Sequence, residues 1–426
     1  MSISPLPLRR PRLGLRALAS YAPGMGDIVS FVRGTANATY RDSAGAMVTG
    51  VASSAPRDAH YENGVRTLLM EGGRTNSFTF TEGIDNAAWT KTECSALADQ
   101  VASPSGGVTA DALVETATAG VQHYLSRAVS FTANTPQPFS CFAKAGGRSR
   151  FQMYMNTGAD IAGVSVDLAA GTVTSLVTGA GSLSYSRIEA WAGGWYRVCW
   201  AGTVNASATA AVLYVLMQDG TGATTYTGSA GIGFYLTALQ FEANQRTCSS
   251  YVPATAGSTA ARGTDRLALA FPAAPAESTF YARLVNVDYH VSQPSLNRIV
   301  ASVGASAAAR LWLYRSSGGA WALLHHNGTA SVSVSASGTP AYGDVVEMRG
   351  ILYGDGSVQL GVSINAAAEV VSARSAALTP AAAWGGAARL WLGSDDGGAS
   401  TGVLALARLL VPPGVQSLAT LRGRSA

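Results

Sequence analysis

"RLWLYRSSGG", residues 310–319, alternates side chains of two kinds and then stops on Ser-Ser-Gly-Gly. In an extended chain successive side chains point to opposite faces. Leu311 and Leu313 therefore enter a core, while Trp312 and Tyr314 face the other way. The same short, turn-bounded pattern recurs in "RFQMYMNTG" (150–158), "WYRVCWAGTV" (195–204), "AVLYVLMQDG" (211–220), "GFYLTALQFEA" (233–243), "TFYARLVNV" (279–287) and "SVQLGVSIN" (357–365). Helical periodicity is scarce. Many short strands at a spacing of about ten residues predict an all-β chain of jelly rolls or β-sandwiches.

The 426 residues suffice for two or three domains with real cores. Glycine and alanine are abundant and arginine replaces lysine almost throughout, a bias we read as genomic. A net charge of +4 gives no field that argues for nucleic acid. No apolar run reaches about 18 residues, so no membrane insertion is expected. The first twenty residues, "MSISPLPLRRPRLGLRALAS", carry Arg9, Arg10, Arg12 and Arg16 without an acid, and lack the continuous apolar core of a secretory signal. They read as a basic arm, either disordered or ordered on docking into an assembly. Cys94, Cys141, Cys199 and Cys248 are too widely spaced for a zinc signature, and buried free thiols are expected.

Composition divides the chain into the arm (1–30), a connector of short extended pieces (31–78), a long all-β run (79–255), a linker (256–270), a second all-β run (271–413) and a tail (414–426). The linker is placed on the small, polar "ATAGSTAARGTD" (254–265). "AARLWL" occurs at 308–313 and again at 387–392, which suggests two strands in similar surroundings within one sandwich.

"FVRGTANATYRDSAGAMVTG" (31–50), "APRDAHYENGVRTLLMEGGRTN" (55–76) and "AAWTK" (87–91) follow one another in a recognisable order. Together they resemble a module common in bacteriophage tail and virion-surface proteins, with matches that include Phe31, Arg33, Tyr40, Pro56, Arg57, Leu69, Glu71, Arg74, Thr75, Asn76, Trp89 and Lys91; Thr67 stands where the module usually has glycine. Downstream, "FSCFAKAGGRSRF", "GGWYRVCW" and "FYLTALQFEANQRTCSSYVPAT" resemble strands of a carbohydrate-binding-like jelly roll. Residues 271–413 resemble a concanavalin-like or laminin-G-like sandwich. The resemblance implies a virion-surface protein, a tail fibre, tail-tip subunit or head spike, that acts as a homo-oligomer. It would attach to other virion proteins through its arm and bind host surface polysaccharide. In such a protein Arg66, Glu71, Arg74 and Asn76 would pin one domain to another through Arg–carboxylate geometry.

Signals for chemistry are weak. Gly398-Ala399-Ser400-Thr401-Gly402 lies between two strand-like runs, not on a strand-to-helix turn, and reads as a loop. His60, His123, His290, His325 and His326 form no metal-binding spacing. Asp355, Asp395 and Asp396 sit in Gly-flanked turns where Asp bonds its own backbone; calcium is a second use for such oxygens, and no other cofactor is implied. Hydrolysis would need two carboxyls converging in a groove. Sugars stack on exposed aromatic rings. Trp191 and Trp321 each adjoin a Gly-Gly pair and are the candidate glycan contacts, whereas Trp195 is expected in the core. The reading is thus a non-enzymatic adhesin, with a glycan-degrading enzyme and a structural decoration protein as alternatives.

Overall fold

The computed structural model describes residues 28–254, 257–270, 277–286, 298–304, 309–380, 389–393, 403–411 and 414–423. The chain is all-β, and its one α-helix among the described residues is Leu418–Gly423. Two β-sandwiches carry separate hydrophobic cores.

The first sandwich packs two six-stranded antiparallel sheets. In the sheet that contains Gln137–Lys144 and Trp195–Thr203, alternation decides which residues meet the core. Phe139, Cys141, Ala143, Val198 and Trp200 point inward. Phe139 stacks on Phe241 with centroids 4.5 Å apart and on Trp200 at 5.0 Å. Burying each such side chain contributes about 1.5–3 kcal/mol. Ser140, Phe142, Trp195, Arg197 and Cys199 point to the opposite face of the same sheet. That face is covered by residues 38–51 and by the segment around Tyr251.

The second sandwich pairs two seven-stranded sheets. Here the domain boundaries read from composition need correction. Ile28–Val32 pairs with Arg266–Ala270 in one sheet, and Arg57–Glu62 with Val65–Glu71 forms the edge of the other. The pieces assigned to a connector and a linker are therefore strands of the second sandwich, with Leu68, Met70 and Leu267 in its core. Ala260–Arg262 pairs with Arg74–Asn76 and Arg266–Ala270 joins the second sandwich, so the stretch 256–270 contains two hydrogen-bonded strands. Residues 1–27 of the arm, 412–413 at the end of the second run and 424–426 of the tail lie outside the described residues.

The repeated hexapeptide has a simple placement. Ala309–Arg315 and Arg389–Leu392 flank Arg298–Val303 on its two sides. Val303 is opposite both Leu311 and Leu390, and Ser302 is opposite both Trp312 and Trp391.

Candidate functional site

Two polar constructions meet where the first sandwich, residues 38–71 and the second sandwich touch. One is closed. Arg33, Arg57, Arg262, Glu71 and Asp265 are all essentially inaccessible to solvent. Arg57 reaches Glu71 at 2.5 Å and also pairs with Asp265, which accepts Arg33 Nε at 2.6 Å. Arg262 lies 2.9 Å from Glu71, and Ser250 donates to both Glu71 oxygens, from its amide at 2.8 Å and its hydroxyl at 2.6 Å. Burial would raise the Glu71 pKa, but Arg262 and Arg57 outweigh it and hold the carboxyl far below its ordinary value. Burial lowers Arg262 to about 10. Two carboxylates shared among three guanidiniums thus tie residues 33–71, 250 and 262–265 into one body.

The second construction is open. A narrow cleft of about 50 Å³, open to solvent on one side, lies beside that network. Strand Ser182–Trp191 supplies its floor, because Arg187, Glu189 and Trp191 share one face by the two-residue alternation. Trp191 is half-buried. It meets Phe142 edge-on at 4.8 Å, donates its Nε1–H to Glu189 at 3.3 Å and lies under the Arg41 guanidinium at 5.0 Å. The turn that holds Trp191 is seated by Gly45: the Ala192 amide donates to its carbonyl at 3.2 Å. Gly45 has φ +79, and a Cβ there would meet the Ala192 nitrogen at 3.4 Å.

The far wall comes from the second sandwich. Tyr342 donates its hydroxyl toward Glu62 at 2.7 Å and toward Glu189 at 2.9 Å. Arg187 pairs with Glu189 at 2.5 Å and lies 4.4 Å from the Tyr342 ring centroid; His60 is 3.3 Å from Glu62. Burial would raise the Glu189 pKa, yet Arg187 and Arg197 hold it below its ordinary value. Burial pushes the Tyr342 phenol well up, against Arg187 and with help from Glu189 and Glu62, so it stays a donor. Chemically the cleft offers one partly exposed indole, guanidinium donors and two carboxylates.

No family model matches the chain. No curated protein matches it either. Among solved structures it is similar to the mouse laminin alpha1 chain, domains LG4-5, at 10% identity over 70% of this chain and 93% of that one, with a TM-score of 0.25. It is also similar to the LG1-3 region of the laminin alpha2 chain, at 8% identity over 69% of this chain and 65% of that one, with a TM-score of 0.26. Neither likeness bears on a ligand.

The residues singled out from sequence divide sharply. Trp191 lies in the cleft. Trp321 does not: it is 2% exposed in the second core, with Arg315 5.0 Å from its ring, and no sugar can stack there. The strand that starts at Trp321 turns it inward, which an adjacent Gly-Gly pair does not prevent. Asp355 is a turn residue. Its carboxylate accepts from the Ser357 hydroxyl at 2.6 Å and amide at 3.0 Å and pairs with Arg374 at 2.8 Å, and these contacts, Ser357 first, lower its pKa to about 2. Asp395, Asp396 and Ser400 lie outside the described residues. Among the described residues no group of three or more His, Cys, Asp or Glu could hold a metal ion.

Of the residues expected to pin domains, Glu71 is the hub described above. Arg74 lies 3.3 Å from Glu242 of the first sandwich, not against Glu71. Asn76 is fully buried; its amide donates to the Leu239 and Val252 carbonyls, and its oxygen accepts from the Phe78 and Phe241 amides. Arg66 is more peripheral, 37% exposed and paired with Asp58 at 3.5 Å. Sequence reasoning missed Arg262, Asp265, His60, Glu62, Arg187, Glu189 and Tyr342. The alternation of "SRIEAW" places Arg187 and Glu189 on the Trp191 face and was a usable signal. Nothing near Tyr342 pointed to its distant partners.

Proposed function

We propose that this chain is a virion-surface adhesin that binds host cell-surface polysaccharide in the cleft at Trp191 without cleaving it. The observation that carries the reading is the half-buried Trp191 indole set among Arg41, Arg187, Glu189 and Tyr342. An apolar ring face ringed by charged donors and acceptors is the combination that sugars need, one face to stack on and several hydroxyls to fix. The resemblance of residues 31–91 to phage surface modules supports the placement on a virion, with the basic arm docking to other virion proteins. Several copies in a homo-oligomer would raise weak single-site binding through avidity. The test is paired: thermal stability and adsorption to host cells for Trp191→Ala. Near-normal stability with lost adsorption is expected; unchanged adsorption overturns the reading.

A second reading, a glycan-degrading enzyme, is favoured by one observation. Glu62 and Glu189 both approach the Tyr342 hydroxyl, so two carboxyls converge in a groove. The phenol stands between them and Arg187 holds Glu189, which is why binding is preferred. Release of reducing ends from host capsule, abolished by Glu62→Gln, would establish the enzyme instead.

A further inference from the structure

The repeated hexapeptide builds the same surface twice. Leu311, Leu313, Leu390 and Leu392 enter the second core. Alternation therefore turns Arg310 and Trp312, and likewise Arg389 and Trp391, to the outer face of one sheet. Both strands run antiparallel to Arg298–Val303, which lies between them, and so parallel to each other. Val303 is opposite Leu311 and Leu390 alike, so the two Arg-Leu-Trp units stand level, two strand spacings or about 10 Å apart. Small residues floor the space between them. Ser302 separates the two tryptophans, and Gly304 lies beside Arg310, where a Cβ would come within 3.1 Å of the Arg310 Cα.

Each unit sets a cation against an indole. The Arg310 guanidinium lies 3.7 Å from the Trp312 ring centroid, and Trp391 has Arg266 at 5.5 Å and Arg389 at 5.9 Å. Such stacking orients a guanidinium and leaves its hydrogen-bonding edge unused. Arg310 and Arg389 are half-buried, and neither has a hydrogen-bond or ion-pair partner among the described residues. Of the nitrogens in these two side chains, only Arg310 Nε is buried without a partner. No acid answers them from their own sheet. Its seven described strands, from Ile28–Val32 at one edge to Ser331–Ala336 at the other, contain no Asp or Glu. The neighbour opposite Arg310 on the next strand is His326, which brings no negative charge.

We propose that this face binds a linear acidic polysaccharide, with one oxyanion, carboxylate or sulfate, on Arg310 and a second on Arg389. Guanidiniums hold such groups through charge-assisted hydrogen bonds. The indole edges, and the shallow floor at Ser302 and Gly304, accept the sugars between the two acids. Arg389–Leu392, Arg298–Val303 and Ala309–Arg315 are interior strands, so no backbone edge is open there for an extended peptide to pair with. Bases need uncovered ring faces, and Arg310 already covers one face of Trp312, which argues against single-stranded nucleic acid. Two anchors engaged by one polymer bind more tightly than either alone. The site uses no residue of the Trp191 cleft and does not rest on the adhesin reading.

The experiment measures retention of the full chain on immobilised polygalacturonate, dextran sulfate, neutral dextran, polyglutamate and single-stranded DNA at one salt concentration, with the thermal stability of each variant. Variants are Arg310→Gln, Arg389→Gln and, as a control of equal charge change outside this sheet, Arg246→Gln. The expected result is retention on polygalacturonate, dextran sulfate or both, none on dextran, and weaker retention on polyglutamate and DNA. Polygalacturonate against dextran sulfate tells carboxylate from sulfate. Arg310→Gln and Arg389→Gln should each weaken polymer binding roughly tenfold or more, because losing one charge-assisted anchor also ends the gain from having two. Arg246→Gln should bind as the wild type. Neither Arg310 nor Arg389 takes part in an ion pair among the described residues, so both variants should fold; if one does not, the other decides. No retention on either acidic polysaccharide, equal or stronger retention on polyglutamate or DNA, wild-type binding by the folded arginine variants, or equal weakening by Arg246→Gln overturns the proposal.

Discussion

The Tyr342 hydroxyl lies 2.7 Å from Glu62 and so joins a loop of the second sandwich to the strand Arg57–Glu62 at its edge. The same hydroxyl faces Glu189 of the first sandwich at 2.9 Å. A phenol has one proton, and here two carboxylates compete for it.

Replacing Tyr342 by Phe removes that proton and leaves the two carboxyls facing each other. We expect a loss of about 1–3 kcal/mol at neutral pH, the cost of leaving a buried polar group unmade. The loss should shrink in acid. Glu189 has a depressed folded pKa, so its contribution is present above the unfolded value of 4.5 and is lost as pH falls through the folded value. Urea unfolding of wild type and Tyr342→Phe between pH 7 and pH 3 checks this; a difference that grows in acid contradicts it.

Arg57 and Arg66 lie nine residues apart on the same hairpin and should behave oppositely. Arg57 is buried between Glu71 and Asp265, and Arg57→Ala removes the guanidinium that bridges them, leaving Glu71 to Arg262 and Ser250 and Asp265 to Arg33. The expected cost is about 3–5 kcal/mol. Arg66, paired with Asp58 and 37% exposed, should cost under about 1 kcal/mol as Ala. Denaturant midpoints of the two variants give the comparison directly.

Trp321→Ala tests the correction made above. Trp321 is 2% exposed, so its truncation should cost about 3–5 kcal/mol and lower the melting temperature clearly. Adsorption per folded molecule should not change. A stable Trp321→Ala variant would return that ring to the surface.

The cysteines offer a check on the packing of the first sandwich. Cys141, Cys199 and Cys248 are free and buried, while Cys94 is partly exposed. Burial raises the Cys94 thiol to about 11, so it holds little thiolate at neutral pH; at Cys199 burial is outweighed by the Cys248 hydrogen bond and by Arg197 and Arg187, which lower it to about 7, and there burial alone keeps a reagent away. A thiol reagent should label the native chain slowly and all four cysteines after unfolding. Fast native labelling of two or more thiols would contradict the packing.

Sequence made the architecture legible because strand alternation is local. Leu311 and Leu313 point into the core as their spacing requires, and Trp195 is buried as expected. Pairing across the chain is not local. Nothing in "ATAGSTAARGTD" announces that Arg262 and Asp265 meet Arg57 and Glu71, because the charge balance of that network exists only when distant segments come together. The aromatic candidates show the same limit. Trp191 and Trp321 have similar neighbours in sequence, yet one lies in a cleft and the other in a core, since which face a ring takes depends on strand parity relative to the sheet it joins.

Residue Asn76 stands opposite Ala260 in a short antiparallel pair, and strands on either side of these two positions belong to the second sandwich. The first sandwich is thus looped out of its neighbour at a narrow neck. On the ribosome it can close as soon as its own strands have emerged. The strands Ile28–Val32 and Val65–Glu71 were made earlier but must wait: the latter has no sheet to join until Val403–Leu410 arrives. Vectorial synthesis therefore leaves the oldest part of the chain to be finished last, with a completed insert held between its two halves.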